Sequence, residues 1–135
     1  MLPEEDSLIS LSFKKKERIS SRILLQNIIA KGTSLFIYPI KCYVLLVPVK
    51  GGHDCNQIAI SVPKRNFKNA VDRNRIKRII RETYRLNNKH VLLPSTSVAT
   101  NKVALLFVYV GKVIPDYKLV ERVMVDLLKK VSHLV

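Results

Sequence analysis

Hydrophobic positions recur every three or four residues near both ends of the chain and in its middle, and they alternate or run together in between. In "RISSRILLQNIIAKG", Ile19, Ile23, Leu24 and Ile28, with their neighbours Leu25 and Ile29, fall at helical spacing, and Gly32 is placed to end the helix. From Leu35 to Val47 the chain is rich in Ile, Tyr, Val and Phe and reads as strand, interrupted or edged at Pro39 and long enough to supply more than one strand. "PVKGGHDCN" turns the chain, and Gln57 to Val62 is a short strand. Asn69 to about Asn87 is helical, with Asn69 as N-cap and Asp72 in the first turn, where the helix dipole favours a negative charge. "NKHVLLPSTSVATN" reads as a loop, and Lys102 to Val110 is nearly continuous apolar, as a strand covered on both faces would be. A last helix follows Asp116, with Leu119, Val120, Val123, Met124, Leu127, Leu128 and Val131 at helical spacing. The predicted order is α-β-β-α-β-α, without repeats or linkers.

A length of 135 residues suits one domain with a real core, and 47% hydrophobic against 25% charged residues is a globular composition. Residues 1–12 read as a flexible tail and 13–135 as a single domain. No apolar run is long enough to cross a bilayer, and the acidic start "MLPEEDSLIS" lacks the basic flank and apolar core of a signal peptide, so a cytoplasmic protein is expected. Cys42 and Cys55 show no metal-ligand spacing and are expected to be reduced thiols. The His53–Cys55 pair has no second pair to complete a zinc site and reads as loop.

Charge changes this picture more than composition does. The chain holds 24 Lys and Arg against 10 Asp and Glu, a formal net charge of +14 that surrounds so small a domain with a strong positive field. From Lys64 to Lys89 there are ten cations against Asp72 and Glu82, a net of +8. A helical turn of about 100° per residue sets Ile76, Ile79, Ile80 and Thr83 of "AVDRNRIKRIIRETYR" on one side. Asn74, Lys77, Arg78, Arg81 and Arg85 fall on the other, flanked by Arg73 and Arg75. Like charges one turn apart cost a helix a few tenths of a kcal/mol per pair, which a bound polyanion would offset. A merely solvated face would be served as well by mixed charges, whereas the run is dominated by Arg, whose planar fork suits phosphate. A nucleic acid is therefore the expected partner, DNA and RNA both being open at this level. The preceding "SVPKRNFKNAV" widens the patch beyond one helix, and Phe67 within it either stacks on nucleic acid or, as preferred, covers the sheet edge.

The residues offer little catalytic machinery of their own. His53, His90 and His133 are scattered, no carboxylate pair sits beside one in a recognised motif, and no Gly-rich phosphate loop, H-E-x-x-H or G-x-S-x-G occurs. With so few acids, the chain is poorly equipped to hold Mg²⁺ unaided. No catalytic residue, intrinsic metal or small-molecule substrate is expected, and any chemistry served would belong to a partner.

The stretch "SVPKRNFKNAVDRNRIKRIIRETYR" resembles the signature of the bacterial ribonuclease P protein component, in which a strand ending in S-V and two basic residues leads to A-V, one variable residue and R-N-R-x-K-R-x-x-R. The matched positions are Ser61, Val62, Lys64, Arg65, Ala70, Val71, Arg73, Asn74, Arg75, Lys77, Arg78 and Arg81, and "FKKKERI" and "KGTS" resemble the family's N-terminal segment and first helix end. The resemblance spans roughly Phe13 to Val131. It implies an α+β fold, a single α-β sandwich with a four-stranded central sheet and about three helices, related to the second domain of a small-subunit ribosomal protein, with a left-handed β-α-β crossover. It further implies an endoribonuclease holoenzyme, ribonuclease P, in which a catalytic RNA and its Mg²⁺ ions remove the 5′ leader of precursor tRNA. The protein subunit would bind that RNA through Lys64, Arg65, Arg73, Asn74, Arg75, Lys77, Arg78, Arg81 and Arg85. The first helix and the sheet face would form a cleft for the leader. There the family often has helix aromatics, but this chain carries Leu25 and Ile29, and Tyr43 matches the sheet aromatic, with ordinary sheet packing as its other reading. The alternative is a structural RNA-binding protein of ribosomal type with no part in cleavage.

Overall fold

The computed structural model describes residues 18–48, 56–91 and 101–134, so the tail assigned to 1–12 and the His53–Cys55 pair lie outside the described residues. The first helix, α1 (Arg22–Lys31), leads into a hairpin of β1 (Thr33–Ile37) and β2 (Ile40–Pro48). Next come β3 (Gln57–Ser61), the long basic helix α2 (Ala70–Val91), β4 (Asn101–Tyr109) and the C-terminal α3 (Tyr117–Leu134). Three helices and one four-stranded mixed sheet result, in the order β1-β2-β4-β3, with β1–β2 and β2–β4 antiparallel and β3–β4 parallel. β3, α2 and β4 thus form a β-α-β unit joining adjacent parallel strands. Pro39 splits the long apolar stretch into the two hairpin strands, as its missing backbone donor requires.

Strand alternation sorts the sheet into two unequal faces. One face, with Ile40, Cys42, Val44, Ile58, Val103, Leu105, Phe107 and Tyr109, packs beneath Ile76, Ile80 and Tyr84 of α2 and the apolar stripe of α3. The other face buries Val47, Ala104 and Leu106 against Ile28 of α1 in a smaller cluster. β4 is covered on both faces, as its unbroken apolar run predicts. Cys42 is a free buried thiol, and burial pushes its pKa up.

Element boundaries depart from the sequence reading where side chains compete for backbone groups. α1 begins at Arg22, not Arg18, because the Ser21 hydroxyl accepts the Leu24 N–H at 3.2 Å and so caps the helix. Ile19 N–H is committed to the Ile58 carbonyl at 2.9 Å, and Arg18 bridges β3 in parallel, so this segment runs extended along the sheet edge. At its far end α2 continues past Asn87 to Val91, replacing part of the predicted loop. The Asn87 and Asn88 amides donate to the Thr83 and Tyr84 carbonyls one turn back, at 2.8 and 2.9 Å, and the helix carries on beneath them. In α3 the predicted stripe is buried except for Leu119, which is 39% exposed.

Gly32 ends α1, as predicted, but with φ −72° it needs no left-handed freedom. Its N–H donates to the Ile28 carbonyl at 2.8 Å. A Cβ there would press on the Ile28 carbonyl oxygen and lie 2.9 Å from that of Val44, both backbone atoms. Gly32→Ala must therefore part the end of α1 from β2. A loss of about 1–3 kcal/mol is expected, read as a lower denaturation midpoint at unchanged m.

Candidate nucleic-acid interface

The nine cations and amides predicted to meet nucleic acid do not form one surface. Ile76, Ile80 and Tyr84 anchor α2 to the sheet, and this sets where every other side chain of the helix goes. Asn74, Arg75 and Arg78 lie on the outer, exposed face. Lys77 and Arg81, one turn apart and half-buried, turn instead toward β3 and α1. Lys64 and Arg65 stand exposed in the turn after β3, which is closed by Asn66 N–H to the Pro63 carbonyl at 3.3 Å.

Two of the predicted contacts are engaged within the fold. Arg73 turns back on the loop before α2, its Nη1 donating to the Phe67 carbonyl at 2.8 Å and the Lys68 carbonyl at 2.9 Å. Phe67 itself is buried against Tyr109, ring centroids 6.0 Å apart, so it covers the sheet edge as preferred. Arg85 pairs with Glu82 through its Nε, donating to Oε2 at 3.2 Å, and its Nη2, donating to Oε1, and lies beside Tyr117 of α3. That hydrogen bond holds the Glu82 carboxyl below the usual carboxylate range. The pair's contribution is present above the unfolded pKa and is lost as pH falls through the folded one. Half-open to solvent, it is worth no more than about 1 kcal/mol.

Lys77 and Arg81 form one wall of a groove of about 310 Å³. Arg18 and Ile19 of the edge segment and Leu25 of α1 face them across the edge of β3, where Ala59 and Ile60 are half-buried and Ile58 is buried beneath. The groove combines cations at its rim with an apolar floor, an arrangement that takes phosphates on one side and bases on the other. Of the three leader-cleft residues, Leu25 and Tyr43 pack on the same small cluster, whereas Ile29, one turn further along α1, is 57% exposed. Sequence reasoning missed Arg18, whose cationic neighbours in "FKKKER" were a usable signal. It also missed Lys41, whose ammonium sits 5.0 Å from the centre of the Tyr43 ring.

The family model for ribonuclease P matches residues 13–131. The chain belongs to the ribonuclease P protein component family. A Porphyromonas gingivalis ribonuclease P protein component is 32% identical over 116 residues, covering 85% of this chain and 82% of the relative. One from Petrotoga mobilis is 43% identical over 76 residues, 56% of this chain and 60% of the relative. Among solved structures, the Thermotoga maritima RNase P protein superposes with a TM-score of 0.66 at 24% identity, over 84% of this chain and 96% of that one. A Staphylococcus aureus RNase P protein mutant gives 0.65 at 22% identity, over 98% of each chain. At these identities the two structures speak for the fold. The ribonuclease P signature begins on β3, passes through the Phe67 loop and runs down α2, so the exposed Arg75 and Arg78 and the groove wall share one element. Among the described residues of this family member, no three of His, Cys, Asp and Glu come together as a metal site, and no helix is long and apolar enough to cross a membrane.

Proposed function

We propose that this chain is the protein subunit of ribonuclease P, binding the catalytic RNA and the 5′ leader of precursor tRNA. The outer face of α2, with Asn74, Arg75 and Arg78, and the turn cations Lys64 and Arg65 engage phosphates of the catalytic RNA. Lys77 and Arg81 border the groove that receives the leader. Two RNAs brought together repel one another, and cations placed between them release counterions and lower the Mg²⁺ needed to dock the substrate. Phosphodiester hydrolysis and the Mg²⁺ ions that serve it belong to the RNA, and no step is assigned to a metal on the protein. Once the leader is cut away, the product no longer fills the groove, so precursor is held in preference to mature tRNA.

The groove carries this reading, because an apolar floor beside half-buried cations suits a single strand better than a duplex backbone alone. Reconstitution tests it. The protein with its cognate catalytic RNA should accelerate leader removal at low Mg²⁺, where the RNA alone is slow. No acceleration, with equal affinity for tRNA with and without a leader, would favour a structural RNA-binding role instead.

A further inference from the structure

The sheet face carrying Tyr43 continues past the groove toward the hairpin of β1 and β2, and what lies there is unusual for an exposed sheet end. Phe36 is directly opposite Lys41 in the register, and Ser34 is opposite Tyr43. Leu35 and Ile37 pack into the large core, so Phe36 points to the face that α1 only partly covers. It is 55% exposed, and Tyr38 beside it is 65% exposed. The two rings meet edge to face, centroids 6.4 Å apart. Neither residue falls within the matched motif, and neither is needed by the core. The hydrophobic effect opposes leaving two large rings in water on a strand end, where polar residues would serve as well.

Charge narrows the occupant to an anion. α1 and the four strands contain no Asp or Glu. Every described carboxylate lies on α2, on α3 or just before it. Lys41 lies between Phe36 and Tyr43 on this face, and Lys112 is exposed in the segment after β4, which is tied to the hairpin by Val110 N–H to the Pro39 carbonyl at 2.8 Å. An acidic peptide would find cations here, but the rings spaced across the hairpin match stacked bases. Phe36 and Tyr43 are diagonal neighbours, roughly 7–8 Å apart, which is close to the step between successive nucleotides of an extended strand.

We propose that Phe36, Tyr38 and Lys41 form a second base-stacking station, one that takes single-stranded RNA leaving the groove past Tyr43 and lengthens the bound leader by one or two nucleotides. The inference rests on the leader-binding reading above. In this chain the groove is lined by the aliphatic Leu25 and by no aromatic ring, and the hairpin rings supply stacking further on.

The test uses the reconstituted holoenzyme and fluorescein-labelled precursor tRNAs whose leaders grow one nucleotide at a time. With the wild-type protein, affinity should keep rising for one or two nucleotides beyond the length at which a Phe36→Ala, Tyr38→Ala variant levels off. The gain at those positions should be roughly tenfold. Phe36→Tyr should restore it, and an abasic site at the corresponding leader position should reproduce the loss with wild-type protein. Identical profiles for variant and wild type, in an enzyme that still prefers leader-bearing substrate, would overturn the second station alone. Equal weakening at every length, mature tRNA included, would overturn it too, by assigning the rings to the catalytic RNA or the tRNA body. A wild-type enzyme indifferent to leader length would instead remove the leader-binding reading on which the station depends.

Discussion

An Ile80→Asp variant will not hold the native fold. Ile80 is fully buried between α2, the sheet and α3, so the change removes an apolar side chain worth several kcal/mol and places a carboxylate where nothing described could receive it. Large-to-small changes at such sites cost about 2–5 kcal/mol before any buried charge is counted, against a total stability of about 5–15 kcal/mol for an ordinary domain. Far-UV circular dichroism and urea unfolding should show the helical signal lost or the transition absent in water. Arg78→Asp, two positions back on the exposed face, should fold normally. A cooperatively folded Ile80→Asp protein would mean that α2 is turned the other way. Ile79, which the helical projection also assigns to the core side, is only half-buried at the edge of the cluster, so Ile76 and Ile80 are the decisive positions.

The contrast between Ile79 and Ile80 marks how far a sequence can be read. Periodicity finds the axis of α2 and the identity of its buried side, because apolar residues at spacings of three and four must share a face. The same spacing carries on to Tyr84, four residues past Ile80, which is easily passed over among arginines but is 1% exposed and packs on Phe107 of β4, ring centroids 6.0 Å apart. It also sets Ile23 at the same helical spacing as Ile28, although α1 lies on the less covered sheet face, where Ile28 alone of that helix is fully enclosed and Ile23 remains 72% exposed. Hairpin, central strand and helix order were legible because each depends on local chemistry: the proline at 39, the two-faced apolar run of β4, the apolar stripe of α3. Helix ends were not, because they turn on whether a Ser21 hydroxyl or an Asn88 amide finds a backbone partner. In the same way a row of arginines reads as one surface, although packing directs them to three: outward, into the groove, and back onto the fold.

That division predicts different phenotypes for neighbouring arginines. Lys77→Glu with Arg81→Glu should leave the fold intact, because both residues sit at the rim of the groove, outside the buried core. Precursor tRNA affinity should fall about a hundredfold or more, since two charge-assisted hydrogen bonds at about 1.5–3 kcal/mol each are replaced by repulsion. The slope of log affinity against log salt should flatten by about 0.7–0.9 for each phosphate no longer neutralised. Arg75→Gln should flatten that slope for the catalytic RNA by one such step with no change in melting temperature, because the side chain is exposed. Arg73→Gln should do the reverse. Its guanidinium holds the Phe67 and Lys68 carbonyls, so its removal frees the loop that seats Phe67 on Tyr109 and should cost about 1–3 kcal/mol of stability. At low temperature, where the loop still holds Lys64 and Arg65 in place, the slope should stay near that of the wild type. Paired salt titrations and thermal melts of the two variants separate these roles. A flattened slope with an unchanged melt for Arg73→Gln would instead make it a phosphate ligand that leaves the loop when RNA arrives.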